Sequence, residues 1–409
     1  MHHPLYLSGF DVKLRVSRQS RAEVEFVDGH DSGFNRKEST SRRYRPRELP
    51  YSSLVIDARS GYLSIGGLRR LAKEQVPIFL TEPDGSILYS ILPPAPLKPD
   101  VRIAQVQAAN DSKRKFTIAH ALVKAKIARS LQVLDWLAQR YDIEREVRTT
   151  KHETMKLPYA SLVAQLRTLE GRTALGYWTA IQKILPKSLE FHTRMSSIRL
   201  QRSNNANDPV NTFLNWGYAY LEGELRRAVN SVGLEAGIGF LHVTADYQTK
   251  EALIFDLIEP YRWIVDLSVL HSVETKLVGW GSVYFAEPDF KCRLDNGAKE
   301  KFIGLLRERF NERVPYKGQR LTWSSIIVEK CEELARYLAG KSRTIDFTEP
   351  SPTLQRFDDK ELRDRILSLS IVEAKQLGIP KQSLHDLRRK ARDHKPFKLY
   401  RENRQRLLA

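Results

Sequence analysis

The chain has 409 residues, more than one compact core accommodates, so two or three domains are expected. Its 67 Lys and Arg against 49 Asp and Glu leave a net charge of +18, which favours a polyanionic partner but says nothing about catalysis. Two cysteines exclude a disulfide scaffold and a cysteine-rich zinc site, and no apolar stretch is long enough to span a bilayer.

Residues 1–92 read as a β-rich domain. Short alternating runs recur at Val12–Val16, Ala22–Phe26, Ser53–Ile56 and Tyr62–Ile65, with turn signals at Asp28-Gly29 and Arg59-Ser60-Gly61. Two more strands, Val76–Leu80 and Ser86–Leu92, flank Pro83-Asp84-Gly85, and a helical segment, Gly67–Glu74, precedes them. The polar, basic stretch His30–Arg47 reads as a loop. Pro93 to Pro99 forms a stiff linker, with residues 93–100 as the boundary.

From 101 to 340 the pattern turns helical. Ile118–Tyr141, Phe213–Val232 and Thr322–Leu338 carry apolar residues at three- and four-residue spacing, and strand signals are few. Residues 341–353, with Pro350 and Pro352, read as a second linker, and 354–409 as a small basic domain. The fold class is therefore α+β multidomain: a sheet domain, a large helical domain and a C-terminal helix-turn-helix. The N-terminus, MHHPLYLSGFDVK, lacks a signal-peptide layout, so a cytoplasmic, nucleoid-associated protein without a membrane partner is expected.

Three short segments of the helical domain supply candidate ligands. Leu169-Glu170-Gly171-Arg172 places an acid in an apolar, basic stretch, and Gly237-Ile238-Gly239-Phe240-Leu241-His242 ends an apolar run on a histidine. In Asp256-Leu257-Ile258-Glu259 two acids lie three apart, which on a helix puts both on one face, here among apolar neighbours. Buried acids need a compensating cation, and a metal ion is one. Carboxylate and imidazole ligands suit Mg²⁺ or Mn²⁺, with zinc an alternative. Such an ion activates water or a 3′-hydroxyl and stabilises phosphodiester displacement. On spacing alone, acids such as these more often lie on a solvated helix face, and a lone histidine is more often a hydrogen-bonded core or edge residue than a ligand.

In the tail, Ala374, Gly378, Ile379, Leu384 and Leu387 match a helix-turn-helix: a small residue at the helix crossing, Gly at the turn and apolar anchors. Pro380 falls in the first turn of the second helix. That helix exposes Lys381, Gln382, Ser383, His385, Arg388 and Arg389 as DNA-binding candidates. Residues 380–409 hold ten Lys/Arg and three Asp/Glu, so 10 − 3 gives +7. A charged helix closing a small bundle is the alternative.

The order of these motifs resembles the CRISPR-associated spacer-acquisition integrases. The resemblance rests on Glu170-Gly171-Arg172, Gly239-Phe240-Leu241-His242, and Phe255-Asp256-Leu257-Ile258-Glu259-Pro260-Tyr261-Arg262. It also rests on Asp208-Pro209-Val210-Asn211 running to Gly217-Tyr218. Ser64 to Leu68 with Val76 to Phe79 is similar to that family's sheet domain, and Ala125-Lys126-Ile127 to its first long helix. Val314-Pro315-Tyr316 and Leu321-Thr322-Trp323 are similar to its last helical pair. The resemblance covers most of residues 1–340 and implies metal ligation by Glu170, His242 and Glu259, with Asp256 alongside as a catalytic residue. It implies a homodimer, double-stranded DNA as partner, and strand transfer by a 3′-hydroxyl, with Arg172, Asn211 and Tyr218 near the DNA. Helix packing is the other reading of Tyr218. Val243–Phe255 departs from the family in lacking Pro and Gly.

An integrase of this kind with an added helix-turn-helix resembles the casposases, transposon-encoded relatives that insert their own terminal inverted repeats with target-site duplication. A CRISPR adaptation integrase and a non-catalytic architectural DNA-binding protein are the alternatives.

Overall fold

A computed structural model of the chain describes residues 3–17, 23–29, 41–82, 85–96, 98–194, 206–242, 251–286, 291–351, 354 and 360–393. The N-terminal part runs β1 (His3–Gly9), β2 (Val12–Val16), β3 (Val24–Val27), β4 (Ser41–Tyr44), β5 (Tyr51–Ala58), β6 (Gly61–Leu63), α1 (Ile65–Lys73), β7 (Ile78–Thr81) and β8 (Ile87–Ile91). Two four-stranded sheets result, ordered β1-β5-β7-β8 and β4-β3-β2-β6. Strands β1, β5 and β7 are mutually parallel, and β8 is antiparallel to β7.

Side chains alternate between two environments. Leu5, Leu7, Leu54 and Ile56 bury into a core with Leu14, Phe26 and Leu71. On the first sheet, Tyr6, Val55 and Phe79 instead meet Trp216 and Tyr220 of the helical part. Burial on both faces explains the near-continuous apolar run Leu54-Val55-Ile56. Strand β4 lies within the stretch expected as a loop: residues 41–44 pair with β3, because Arg43 reaches buried Glu25 across the ladder. Residues 30–40 lie outside the described set.

The helical part runs α2 (Pro99–Asn110), α3 (Ser112–Leu137), α4 (Glu144–Thr154), α5 (Val163–Ile184), α6 (Pro209–Val232), α7 (Ala252–Ile258) and α8 (Arg262–Glu274). Then follow β9 (Val283–Ala286), β10 (Lys291–Leu294), α9 (Asn296–Phe310), β11 (Arg313–Tyr316), β12 (Gln319–Thr322) and α10 (Trp323–Leu338). Residues 314–316 and 321–322, expected in a helical pair, form the β11–β12 hairpin, and Thr322 then caps α10 by accepting from the Ser325 amide. Helix α6 starts at Asp208, whose side chain accepts from the Asn211 amide, and ends on Gly233. It is apolar on most faces because it packs between the sheet domain, α8 and α10. Helix α3 buries two stripes. Ile118, Leu122 and Ala125 join the main core, while Ala119, Val123 and Ile127 form a second with Leu166, Leu169 and Leu241.

The tail forms α11 (Lys360–Ser368), α12 (Ile371–Gln376) and α13 (Lys381–Arg392) around a core of their own. Ser370 and Glu373 make a capping box, and Gly378 takes the left-handed turn at φ 75°. Pro380 is the N-cap of α13, one position before the helix proper. Residues 341–351, read as a linker, lie against the helical core, with Phe347 only 2% exposed.

Candidate functional site

Asp256 organises the histidine segment. It is fully buried on α7, and its Oδ2 accepts from the backbone amides of Phe240 at 2.5 Å and Leu241 at 3.0 Å. Its Oδ1 accepts from the His242 amide and pairs with His242 Nδ1, each at 2.8 Å. Gly239 permits this close approach, since a Cβ there would lie 2.7 Å from Ala252 Cβ and 3.0 Å from Asp256 Oδ2. Arg167 on α5 donates to the Leu241 carbonyl at 2.6 Å and holds the segment from the other side. Burial works against a charged His242, but the Asp256 bond and the carboxylates of Asp256, Glu259 and Glu170 raise its pKa above the ordinary value.

Glu259 lies just past the end of α7 and is buried. Arg262 Nε donates to both its oxygens at 3.1 Å, and Lys126 Nζ is 2.5 Å from Oε2. Burial alone would raise this carboxyl, but Arg262, Lys126 and His242 hold it well below the usual range. The Lys126 ammonium also donates to Glu170 Oε1 on α5. Two carboxylates from distant segments thus share one cation. The two acids three apart have separate partners: Asp256 serves the 240–242 backbone, and Glu259 faces Lys126 and Arg262. Their burial is compensated within the protein. Among the described residues, no three His, Cys, Asp or Glu side chains converge as they stand in a metal-holding group. Instead, the Lys126 ammonium lies between Glu170 and Glu259, and His242 pairs with Asp256.

A second buried network adjoins the first. Arg262 lies over the Tyr218 ring at 4.7 Å and Arg194 at 5.1 Å. The Tyr218 hydroxyl donates to Asp266 at 2.5 Å, and that of Tyr177 at 3.0 Å. Burial pushes the Asp266 carboxyl up to about 6, against the pull of both tyrosines and of Arg262 and Arg194. Lys126, Tyr177, Tyr218, Glu259, Arg262 and Asp266 line one small cleft.

Several expected DNA contacts are placed differently. Asn211 is 1% exposed: its amide nitrogen donates to Asp208 and the Thr193 carbonyl, and its oxygen accepts from Arg194. Tyr218 is 8% exposed, with its hydroxyl spent on Asp266. Both organise the core beneath the site and do not present an edge to DNA. Arg388 turns inward, donating to the carbonyls of Ile366 and Leu369 at the end of α11. Lys381, Gln382, Ser383, His385 and Arg389 are exposed on α13, with Arg389 bonded to Asp386. Arg172 is exposed on α5 near Glu153.

Sequence reasoning missed Lys126, Arg167, Arg262 and Asp266 as site residues. Arg262 was within reach, three residues after a buried acid. Lys126, a lysine between the apolar Ala125 and Ile127, carried a weaker signal, and Arg167 carried none.

Comparison with known proteins adds to this geometry. Residues 35–308 match the family model described as CRISPR associated protein Cas1. A CRISPR-associated endonuclease Cas1 from Archaeoglobus fulgidus is 28% identical over 324 residues, 75% of this chain and 91% of that protein. The structure of a casposase bound to integration product superposes with a TM-score of 0.78 at 31% identity, over 90% of this chain and 99% of the other. A Cas1 protein from Thermotoga maritima shares the fold at 18% identity, with a TM-score of 0.65 over 84% and 99% of the two chains. Among the described residues, no helix is long and apolar enough to cross a membrane.

Proposed function

This chain belongs to the CRISPR-associated Cas1 family, and from that membership we propose that it is a metal-dependent DNA integrase of the casposase kind. It joins the 3′-hydroxyl of an inverted-repeat end to a target phosphodiester and leaves a target-site duplication. The observation that carries the reading is the convergence of Glu170 and Glu259 on one cation position, beside a histidine anchored by Asp256.

The donor set fits Mn²⁺ or Mg²⁺. Two carboxylates already share a cation, and an imidazole tied to Asp256 through Nδ1 would offer Nε2 to an ion. Glu170, His242 and Glu259 would hold the ion, and when bound it supplies Lewis acidity to a phosphoryl oxygen and to the attacking hydroxyl. Asp256 is a positioning residue, since both its oxygens are engaged with residues 240–242. Arg262 orients Glu259 from behind. Lys126 holds the Glu170 and Glu259 carboxylates together, and with an ion bound between them its ammonium would be free to face a phosphate. Exposed Lys381, Gln382, Ser383, His385 and Arg389 grip double-stranded DNA, the basic side chains on phosphates and the polar ones on base edges. The protein acts in the cytoplasm, at the nucleoid, as a homodimer or higher assembly. Its parts are a sheet domain to residue 92, a catalytic domain to 340 and a DNA-binding tail from 354.

The test is joining of a 3′-hydroxyl oligonucleotide into plasmid with Mn²⁺ or Mg²⁺. Chelation, Glu170→Gln and His242→Ala should each abolish it, and intact joining by His242→Ala overturns the reading. The Cas1 match favours a second reading, spacer insertion into a CRISPR array. Deleting residues 351–409 separates the two: loss of end-specific joining supports the casposase reading, and unchanged joining supports the CRISPR one.

A further inference from the structure

Arg129 on α3 is 3% exposed. Its guanidinium clasps the segment leading to the tail. Nη2 donates to the Pro350 carbonyl at 2.6 Å and to that of Thr348, and Nη1 donates to Gln132 at 2.7 Å and lies 3.5 Å from Ser351 Oγ. Gln132 itself reaches Ser351 Oγ at 3.4 Å. Four residues upstream, buried Lys330 on α10 donates to the Asp346 carbonyl at 2.9 Å, and Phe347 fills the main core. Two buried cations from two helices thus hold the carbonyls of Asp346, Thr348 and Pro350, alternate residues of one segment. Unpaired burial of such charges is costly, so the segment is built into the fold and is not a free tether.

Its location gives the clamp a consequence. Arg129 follows Lys126 by one helical turn and lines the same cleft as Lys126, Glu259 and Arg262. Downstream, among the described residues, the tail core draws on residues 366–391. From Ser351 to the start of α11 there are about nine residues, which span at most roughly 30 Å. The anchor point therefore bounds the distance between the tail and the metal-ligand candidates.

We propose that Arg129 is a positioning residue that sets how far the joined phosphodiester lies from the DNA sequence held by the tail. The proposal rests on the integrase reading above. Anchoring at Thr348 and Pro350 limits the spacing, whereas release lengthens it and lets the catalytic domain sample more distant phosphates.

The experiment uses the full chain, with Arg129→Gln, Arg129→Lys and a third variant carrying a four-residue Gly-Ser insertion after Ser351. The insertion leaves the buried arginine intact, so it folds whether or not Arg129→Gln does. It lengthens the reach by about 14 Å, about four base steps. Junctions from metal-dependent joining are sequenced. Wild type should give junctions within a limited window from the recognised end. The insertion and Arg129→Gln should spread junctions over several nucleotides, with Arg129→Lys partly restoring the wild-type pattern. Unchanged junction positions in the insertion variant overturn the proposal. Limited proteolysis is read in parallel and needs no activity. Arg129→Gln should speed cleavage next to buried Phe347 by a protease that cuts after aromatic residues and release the tail, and a wild-type cleavage rate in a folded variant overturns the clamp. Absence of joining by wild type itself counts against the integrase reading, and the proteolysis still decides the clamp.

Discussion

Replacing Asp256 with asparagine tests the geometry of the histidine segment most directly. The carboxylate accepts four hydrogen bonds, three from backbone amides and one from the imidazole, and none of its surface meets water. Asparagine keeps one oxygen and turns an NH2 group onto two of these donors. A hydrogen bond to a charged group contributes about 1.5–3 kcal/mol, and a buried donor left unmade costs about 1–3 kcal/mol. Two donors facing an NH2 therefore imply a local loss of about 3 kcal/mol, since such terms do not add fully. Hydrogen exchange at Phe240, Leu241 and His242 is the suitable assay, because chains with several cores do not melt as one unit. About 3 kcal/mol corresponds to roughly 100-fold faster exchange at these three amides, with little change on α6. Mn²⁺ affinity should fall roughly 10- to 100-fold, as expected when a ligand's supporting carboxylate is lost. Exchange within about threefold of wild type would refute the argument that this carboxylate holds the loop.

Three further outcomes follow from the same geometry. Asp266 has its carboxyl raised from 3.8 to about 6, so its neutral form is favoured on folding, and the associated stability is present below 3.8 and lost as pH rises through about 6. Wild type should lose about 2 kcal/mol relative to Asp266→Asn between pH 4 and 6, and parallel melting curves would contradict this. Gly239→Ala should destabilise the catalytic part by about 1–3 kcal/mol, because the new methyl meets Ala252 at 2.7 Å. Gly237→Ala, whose nearest neighbour atom would lie 4.0 Å away, is the tolerated control in the same melt. Lys126→Met removes the ammonium shared by Glu170 and Glu259 and should cost about 2–3 kcal/mol in metal-free protein. Added Mn²⁺ should then raise the melting midpoint more for Lys126→Met than for wild type, and equal shifts would remove Lys126 from this role.

Much of this protein is written locally in its chain. The strand alternation at Val12–Val16, the long apolar stripe of α6 and the Ala374-Gly378-Leu384 pattern of the tail each depend on neighbours within a few residues. The N-caps Asp208 and Thr322 and the Gly378 turn are equally local, because a cap or a positive φ is chemistry of the adjacent backbone. The motifs around Glu170, His242 and Glu259 were legible for a different reason: their order along the chain is that of a family. Tertiary structure decided which side chain meets which. The spacing of Asp256 and Glu259 describes two equivalent acids, but one meets the 240–242 amides and the other meets Lys126 and Arg262. Asn211 and Tyr218 carry polar groups suited to DNA, and packing against Asp208, Arg194 and Asp266 turned them inward. Lys126 and Glu170 lie 44 residues apart and Arg129 and Pro350 lie 221 apart. A buried charge takes whatever compensating partner the fold brings within about 3 Å, and no local pattern encodes a partner so distant in sequence.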